Sequence, residues 1–330
     1  MRIDSSAPTR IDLAGGTYDI WPLYLFHDHA QTLNVAISLR AHVTLTSRRD
    51  YRVVLRSEDT GEEVEAADPS VLRTDRLPLL ARLVKHFGAR GLEVHTRAES
   101  PMGAGIAGSS ALNVALTGAL AAWTGRTLSD EGLLTIAMNV EAQVIKVPTG
   151  VQDYRPALYG GISAVELSVA GVERVALSLD PLALERRLVL AYTGASRNSG
   201  INNWDVMMRR INGDTDVVAA FDVIRDATVA MRDAIEQQDW SGVAASMATE
   251  WQARKRLAPG VTTREIDTLL ERARFSGALA GKACGAGGGG CLVCVVDPDR
   301  KAEVAATLSA GGATVLPFKV ESEGLVVKKS

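Results

Sequence analysis

The stretch Pro101-Met102-Gly103-Ala104-Gly105-Ile106-Ala107-Gly108-Ser109-Ser110-Ala111 is a glycine-rich loop that runs directly into an apolar, alanine-rich segment. Glycines let backbone N–H groups approach an anion closely, and the free N–H groups and positive dipole end of a following helix favour a polyphosphate there. The chemistry suggested is nucleotide binding; the plainer reading is a glycine corner that only turns the chain. Gly103 and Gly108 come close to P-loop spacing and Ser110 stands where the metal-binding Ser/Thr would be, but Ser109 replaces the lysine. Without that cation on the β- and γ-phosphates a Walker ATPase is excluded, and an anion-binding helix N-terminus remains.

Glu141 lies late in a second helical pattern, where a negative charge opposes the helix dipole, in line with Leu134, Ala137, Met138 and Ile145. A carboxylate beside an apolar stripe needs a partner, either a magnesium ion or a lysine or arginine across the face. Asp153, twelve residues further on, sits in the turn Pro148-Thr149-Gly150-Val151-Gln152-Asp153-Tyr154. It either caps turn backbone or returns beneath the same helix end as a second carboxylate able to orient or deprotonate a hydroxyl. Arg10 and Asp12 flank Ile11, and the two-residue period of a strand puts both on one face. They form either a surface ion pair or the wall of a substrate pocket, with Arg10 near a transferring phosphate and Asp19, just past the Gly15-Gly16 turn, accepting sugar hydroxyls. His27 and His29 lack a third ligand at useful spacing, although one of them could hydrogen-bond a polyol. Cys291-Leu292-Val293-Cys294 lacks a second pair, and buried strand cysteines are the better reading.

The elements that must hold these residues follow from periodicity. Strands are expected at residues 10–13, 32–47, 51–57 and 92–96, the last leading into the glycine loop. Helices are expected at 77–87, 109–123 and 130–146, with Ser129 as N-cap of the third and acids in its first turn. Beyond Pro148, strands are expected at 162–167, 174–177 and 188–192, helices at 214–237, 241–256 and 263–279, and strands at 291–296, 313–318 and 324–327. The pattern is α+β, and a composition change over residues 180–187 marks a boundary between a first domain, 1–185, and a second, 186–330. A chain of 330 residues with 46% hydrophobic residues can fill two cores. A net charge of -3 without a basic block predicts no nucleic-acid or membrane partner. The lack of a long apolar run, with only three cysteines, predicts a soluble cytoplasmic protein.

Three segments taken in order carry a family resemblance: the run from Pro8 through Leu13-Ala14-Gly15-Gly16-Thr17-Tyr18 to Asp19, the phosphate-type loop, and Lys282-Ala283-Cys284-Gly285-Ala286-Gly287-Gly288-Gly289-Gly290. The chain resembles the GHMP kinases across essentially its whole length. Gly150-Val151-Gln152-Asp153, Leu158-Tyr159-Gly160-Gly161 and Tyr192-Thr193-Gly194 look most like the branch acting on D-glycero-D-manno-heptose 7-phosphate. The resemblance implies a first domain of the ribosomal-protein-S5 kind, a ferredoxin-like second domain, and ATP between them. It implies that Gly103, Gly105, Gly108, Ser109 and Ser110 wrap the phosphates, supported by Gly287 and Gly288. Ser110 and Glu141 would hold Mg2+, Asp153 would be the catalytic aspartate, and Arg10 would bridge the acceptor hydroxyl and the γ-phosphate. Gly16, Thr17 and Asp19 would meet the sugar, and Arg197 an anionic group on it; a homodimer is compatible with the family.

Two departures qualify the match. The family loop reads Gly-Leu-Gly-Ser-Ser, whereas Gly105-Ile106-Ala107-Gly108-Ser109-Ser110 holds one extra residue. Heptose kinases carry Gln-Tyr-Ala after the catalytic aspartate, in a segment that faces the acceptor in the family, and here Tyr154-Arg155-Pro156 stands instead. The expected reaction is transfer of the γ-phosphoryl group of ATP to a sugar hydroxyl, most readily the anomeric one of a heptose 7-phosphate. Galactose, a hexuronate or a mevalonate-type acceptor, the related diphosphate decarboxylation, and a non-catalytic sugar and ATP sensor stand as alternatives.

Overall fold

Near-alternating Val, Leu, Ile and Thr make Gln31–Ser47 a 17-residue strand, long enough to serve two neighbours along one edge. The computed structural model describes residues 1–195 and 203–330. Its strands are β1 (Arg2–Ala14), β2 (Gln31–Ser47), β3 (Val53–Ser57), β4 (Glu62–Ala66), β5 (Leu92–Ala98), β6 (Ile162–Ser168), β7 (Gly171–Ala176), β8 (Leu188–Tyr192), β9 (Ala278–Ala283), β10 (Cys291–Val296), β11 (Thr314–Val315) and β12 (Val326–Lys329). Its helices are α1 (Pro78–Phe87), α2 (Gly108–Thr124), α3 (Asp130–Ile145), α4 (Tyr154–Tyr159), α5 (Pro181–Glu185), α6 (Asn203–Ile211), α7 (Thr215–Glu236), α8 (Trp240–Arg254), α9 (Arg264–Phe275) and α10 (Lys301–Ala310).

β1 runs antiparallel to β2 along one edge, and β2 gives its other edge to β6 at residues 31–35 and to β5 at residues 41–47. The resulting eight-stranded sheet is closed at one side by β12, so the last strand of the chain returns to pair with the first. The smaller sheet has the order β11-β8-β10-β9. Apolar residues of α1, α2 and α3 pack on the large sheet in one core, whereas Val217, Phe221 and Ile224 of α7, with Trp251 of α8 and Ile266 and Leu269 of α9, build another against the small sheet.

The α+β expectation holds, and β8 and β10 occupy the residues read for them. Ser129 caps α3 as expected, its hydroxyl accepting from Gly132 N at 3.1 Å. Two expectations are corrected. The helix expected over 263–279 stops at Phe275, because Gly277 takes a φ of +109° and the chain reverses into β9, which bonds with β10. The strand expected over 313–318 pairs at only two residues, after which the chain runs on to edge β1 and β2 through isolated contacts.

Candidate active site

The glycine loop is fastened by its carbonyls. Ala104 O accepts from Cys291 N at 2.7 Å, Gly105 O from Arg10 Nη1 at 3.0 Å, and Ile106 O from the Arg10 amide at 3.0 Å. These three consecutive carbonyls anchor the loop to β1 and β10, and the Ala104 amide is spent within the loop on Pro101 O at 3.2 Å. The first N–H groups of α2 have no acceptor within the helix, and no side chain caps them. The anion-binding reading of Gly103, Gly105, Gly108, Ser109 and Ser110 therefore acquires a geometric basis. Ala107 stands at the start of α2 in the left-handed region with φ of 62°. Gly288 N donates to Val261 O at 3.0 Å, so the second glycine run rests on the chain after α8 while its end, through Cys291, supports the first loop.

Glu141 comes up beneath this loop from α3. Its Oε1 accepts from Ser109 Oγ at 2.7 Å, and its Oε2 from Ser110 Oγ at 3.0 Å and Tyr154 OH at 2.8 Å. Among the described residues no lysine or arginine pairs with it, which removes the simple ion-pair reading. Burial pushes its carboxyl above the ordinary range, against the pull of the three hydroxyls. A buried carboxylate without a counter-ion among the described residues, beside two serine hydroxyls at the start of a helix, is a donor set that fits a magnesium ion. Tyr154 belongs to the segment expected to face the acceptor; instead its side chain is buried and directed at Glu141, while Arg155 is buried against Val151 O and Glu131.

On the other side of the loop lies a buried charge network. Arg10 and Asp12 do share a strand face, and both are fully buried, so the surface-pair reading is excluded. Asp12 accepts from Gly285 N at 2.8 Å and meets Arg10 at 3.4 Å, Arg254 at 3.2 Å and Lys282 at 3.3 Å. Burial alone would raise this carboxyl; Lys282, Arg10 and Arg254 overcome it and hold it at about 2. Glu250 completes the network through Arg254 at 2.9 Å and Lys282 at 3.1 Å. Arg10 then reaches outward to Asp153, with Nη2 at 2.5 Å and Nε at 3.0 Å from Oδ1. Asp153 Oδ2 has no partner among the described residues, and the carboxylate is 29% exposed.

Asp153 lines a cleft together with Thr17, Asp19, Gln152, Asn203, Arg254 and Gly285. Asp19 is buried in its wall and accepts from Gln152 N at 2.8 Å. A Cβ at Gly150 would collide with the Asp19 carboxylate, and one at Gly16 with the Arg254 guanidinium, so both turns need glycine for close approach. Thr17 is held at a φ of 79°, an unusual conformation for a β-branched residue, and accepts from Arg254 Nη2 at 3.3 Å. Burial, and then the charge of Asp153, push Asp19 up to about 6 against the Gln152 N–H.

The structure thus brings together Arg10, Gly16, Thr17, Asp19, Ser109, Ser110, Glu141 and Asp153. Arg197 lies outside the described residues. His27 is not in the site: it packs edge-on against Tyr18 and pairs with Asp222, and burial with the nearby Arg210 charge lowers it to about 4. The three cysteines are buried and unpaired. Sequence reading missed Glu250, Arg254 and Lys282. The signal was present, since Val243, Met247, Glu250 and Arg254 fall on one helical stripe, placing charges where the pattern demands core.

Two sheets meet at a glycine loop with a hydroxyl-held carboxylate on one side and an arginine-held carboxylate on the other, an arrangement suited to phosphoryl transfer. The model of the GHMP kinases N terminal domain matches residues 76–161 and that of the GHMP kinases C terminal matches residues 231–314, together just over half of the chain. The chain belongs to the GHMP kinase family, whose members use ATP as phosphate donor. It is 28% identical to the D-glycero-alpha-D-manno-heptose 7-phosphate kinase of Campylobacter jejuni, over 98% of each chain. In fold it is similar to a D-glycero-D-manno-heptose 1-phosphate kinase from Bacteroides thetaiotaomicron, with a TM-score of 0.79 at 23% identity over 99% of both chains. It is also similar in fold to Lactococcus lactis galactokinase complexed with galactose, with a TM-score of 0.75 at 19% identity over 98% of this chain and 95% of that one. Among the described residues no helix is long and apolar enough to cross a membrane.

Proposed function

We propose that this kinase transfers the γ-phosphoryl group of ATP to the anomeric hydroxyl of a heptose 7-phosphate or a closely related sugar. The observation that carries the reading is Arg10, one side chain that bonds both the phosphate-type loop, at Gly105 O, and the open carboxylate of Asp153. A donor phosphate on the loop and an acceptor hydroxyl at Asp153 Oδ2 would meet beside its guanidinium. The chain similarity to a heptose 7-phosphate kinase over nearly its full length supports the sugar class.

Phosphoryl transfer of this kind passes through a loose transition state, so placement and charge neutralisation supply most of the rate. The α2 amides and Ser109 would hold the phosphates, and Arg10 would offset charge on the transferring group. Ser110 and Glu141 would hold Mg2+, which when bound neutralises phosphate charge. Asp153 would orient the acceptor hydroxyl and take its proton on Oδ2, while Arg10 fixes the other oxygen. Asp19, with Thr17 and the backbone at Gly16, would grip neighbouring hydroxyls. Residues 1–185 would then carry the phosphate loop, Asp153 and Asp19, with 186–330 closing the site through Arg254 and Gly285.

The test is ADP release with Mg-ATP across heptose 7-phosphate, free heptoses, galactose, hexuronates, mevalonate and homoserine, followed by product NMR. Turnover is expected with the heptose 7-phosphate, phosphorylated at C1. Turnover confined to mevalonate, homoserine or galactose overturns the acceptor class, and ATP binding without turnover on any of them makes the protein a sensor.

A further inference from the structure

Gln152 is 5% exposed, and its side-chain oxygen Oε1 is buried without a hydrogen-bond partner among the described residues, yet the residue lines a cleft together with Asp19 and Asp153. Buried polar atoms are rarely left unpaired, and for one on a residue that lines a cleft a bound ligand is the natural source of the missing donor. Its neighbours sharpen the chemistry. Asp19 and Asp153 are acceptors too, so three neighbouring residues bring oxygen lone pairs to the cleft, and Arg10 is already committed to Asp153, Asp12 and Gly105 O. Such a set of acceptors suits a row of hydroxyl donors.

Resting on the acceptor reading above, we propose that the Gln152 carboxamide is a specificity-determining group that accepts a hydrogen bond from the sugar hydroxyl next to the one phosphorylated. The enzyme therefore reads a vicinal diol: Asp153 takes the reacting hydroxyl and Gln152 its neighbour. On an anomeric acceptor that neighbour is the 2-hydroxyl. Because the amide oxygen is unpaired among the described residues of the free protein, Gln152 weakens the apo fold in exchange for recognition, a conflict that a purely structural glutamine would not show.

The experiment is calorimetric titration of wild type and Gln152→Met with D-glycero-D-manno-heptose 7-phosphate and its 2-deoxy analogue, in the presence of Mg-ADP, with thermal melts of both free proteins. Methionine keeps the length of the side chain and removes the amide. The expected result is about tenfold weaker heptose binding by the variant, with the 2-deoxy sugar bound equally and weakly by both proteins. The free variant is expected to melt about 1–3 °C higher than wild type. Equal heptose affinity in the two proteins, or a variant that melts several degrees lower, overturns the inference and leaves the kinase reading standing. Failure of the wild type to bind the heptose 7-phosphate overturns the acceptor reading itself, and this inference with it.

Discussion

Asp12 and Glu141 are both buried carboxylates on either side of one glycine loop, and the protein surrounds them with opposite chemistry. Asp12 meets two arginines, a lysine and a backbone N–H, and is held at about 2. Glu141 meets only hydroxyls and is pushed above the ordinary range. A carboxylate whose charge the protein has already neutralised is finished as a structural part, whereas one left with neutral donors has room for a cation that arrives with a ligand. Asp153 combines both treatments in a single group, one oxygen fixed by Arg10 and the other without a partner among the described residues. The comparison thus separates three duties among acids that look alike in sequence.

The sharpest way to break it is at Asp153. Asp153→Asn keeps the shape and the contact with Arg10 but offers no base, so turnover is expected to fall by about 10²- to 10⁴-fold while ATP affinity, measured by calorimetry, stays within a few-fold. Near-normal turnover would remove the aspartate from the chemistry. Asp12→Ala attacks the closed end of the comparison: Arg254 and Lys282 would keep only Glu250 between them in a dry interior. A loss of about 3–5 kcal/mol is expected in urea unfolding, and a variant as stable as wild type would show that the network is not structural.

At the open end, Glu141→Gln and Tyr154→Phe grade the metal reading. Tyr154 donates to Glu141 without lying on the expected ligand list, so its removal should disorient the carboxylate without destroying it. Mn2+ binding in the presence of ADP, followed by electron paramagnetic resonance, is expected to weaken about 10- to 100-fold in Tyr154→Phe and more in Glu141→Gln. Unchanged binding in both variants would return Glu141 to a structural role.

These predictions also mark how far sequence reaches. β2 and α3 were readable to within a residue from their patterns and β10 from an unbroken apolar run, whereas only residues 10–13 of β1 were read as strand; the glycine loop was readable because its glycines stand directly before an apolar helix. Asp153, Arg10 and Glu141 were identified through a family resemblance and through each residue's conflict with its surroundings. Arg254 was missed because Glu250 and Arg254, four residues apart, look like an ordinary surface pair on a helix; only tertiary packing turns that pair inward onto Asp12. The end of α9 was misplaced because Ser276-Gly277 is a weak stop signal until β9 has a strand to pair with. Tyr154 was placed on the acceptor side because the family resemblance puts that segment there, and at the start of α4 it is bonded to Glu141 instead.

Asp19 supplies a pH test. Its folded value of about 6 lies above the ordinary aspartate value, so the folded chain holds the proton more tightly than the unfolded one. The stability this lends is complete below about pH 4 and is lost as pH rises through 6, a change of about 2–3 kcal/mol at most. Asp19→Asn is therefore expected to match wild type near pH 4 and to exceed it above pH 6 in urea midpoints. Acceptor affinity of the wild type runs the other way, tightening as Asp19 ionises above pH 6. A wild-type midpoint that does not fall relative to the variant between pH 4 and 7 would contradict the raised value.

The smallest effect is expected at Ala107, where the loop departs from its relatives. A left-handed alanine costs about 1–2 kcal/mol relative to glycine, while glycine gives back about 0.4–1 kcal/mol through the freer unfolded chain. Ala107→Gly should therefore raise stability by no more than about 1 kcal/mol, a shift of a few degrees in melting temperature. The loop carbonyls before it are pinned by Cys291 and Arg10, and those bonds do not involve the methyl group. The KM for ATP is accordingly expected to change less than about threefold. A tenfold rise in that KM with an unchanged melting temperature would mean that the methyl group, buried against the start of α2, aims the amides at the phosphates. The extra residue would then belong to nucleotide recognition, and the open side of the comparison would extend from Glu141 into the loop backbone itself.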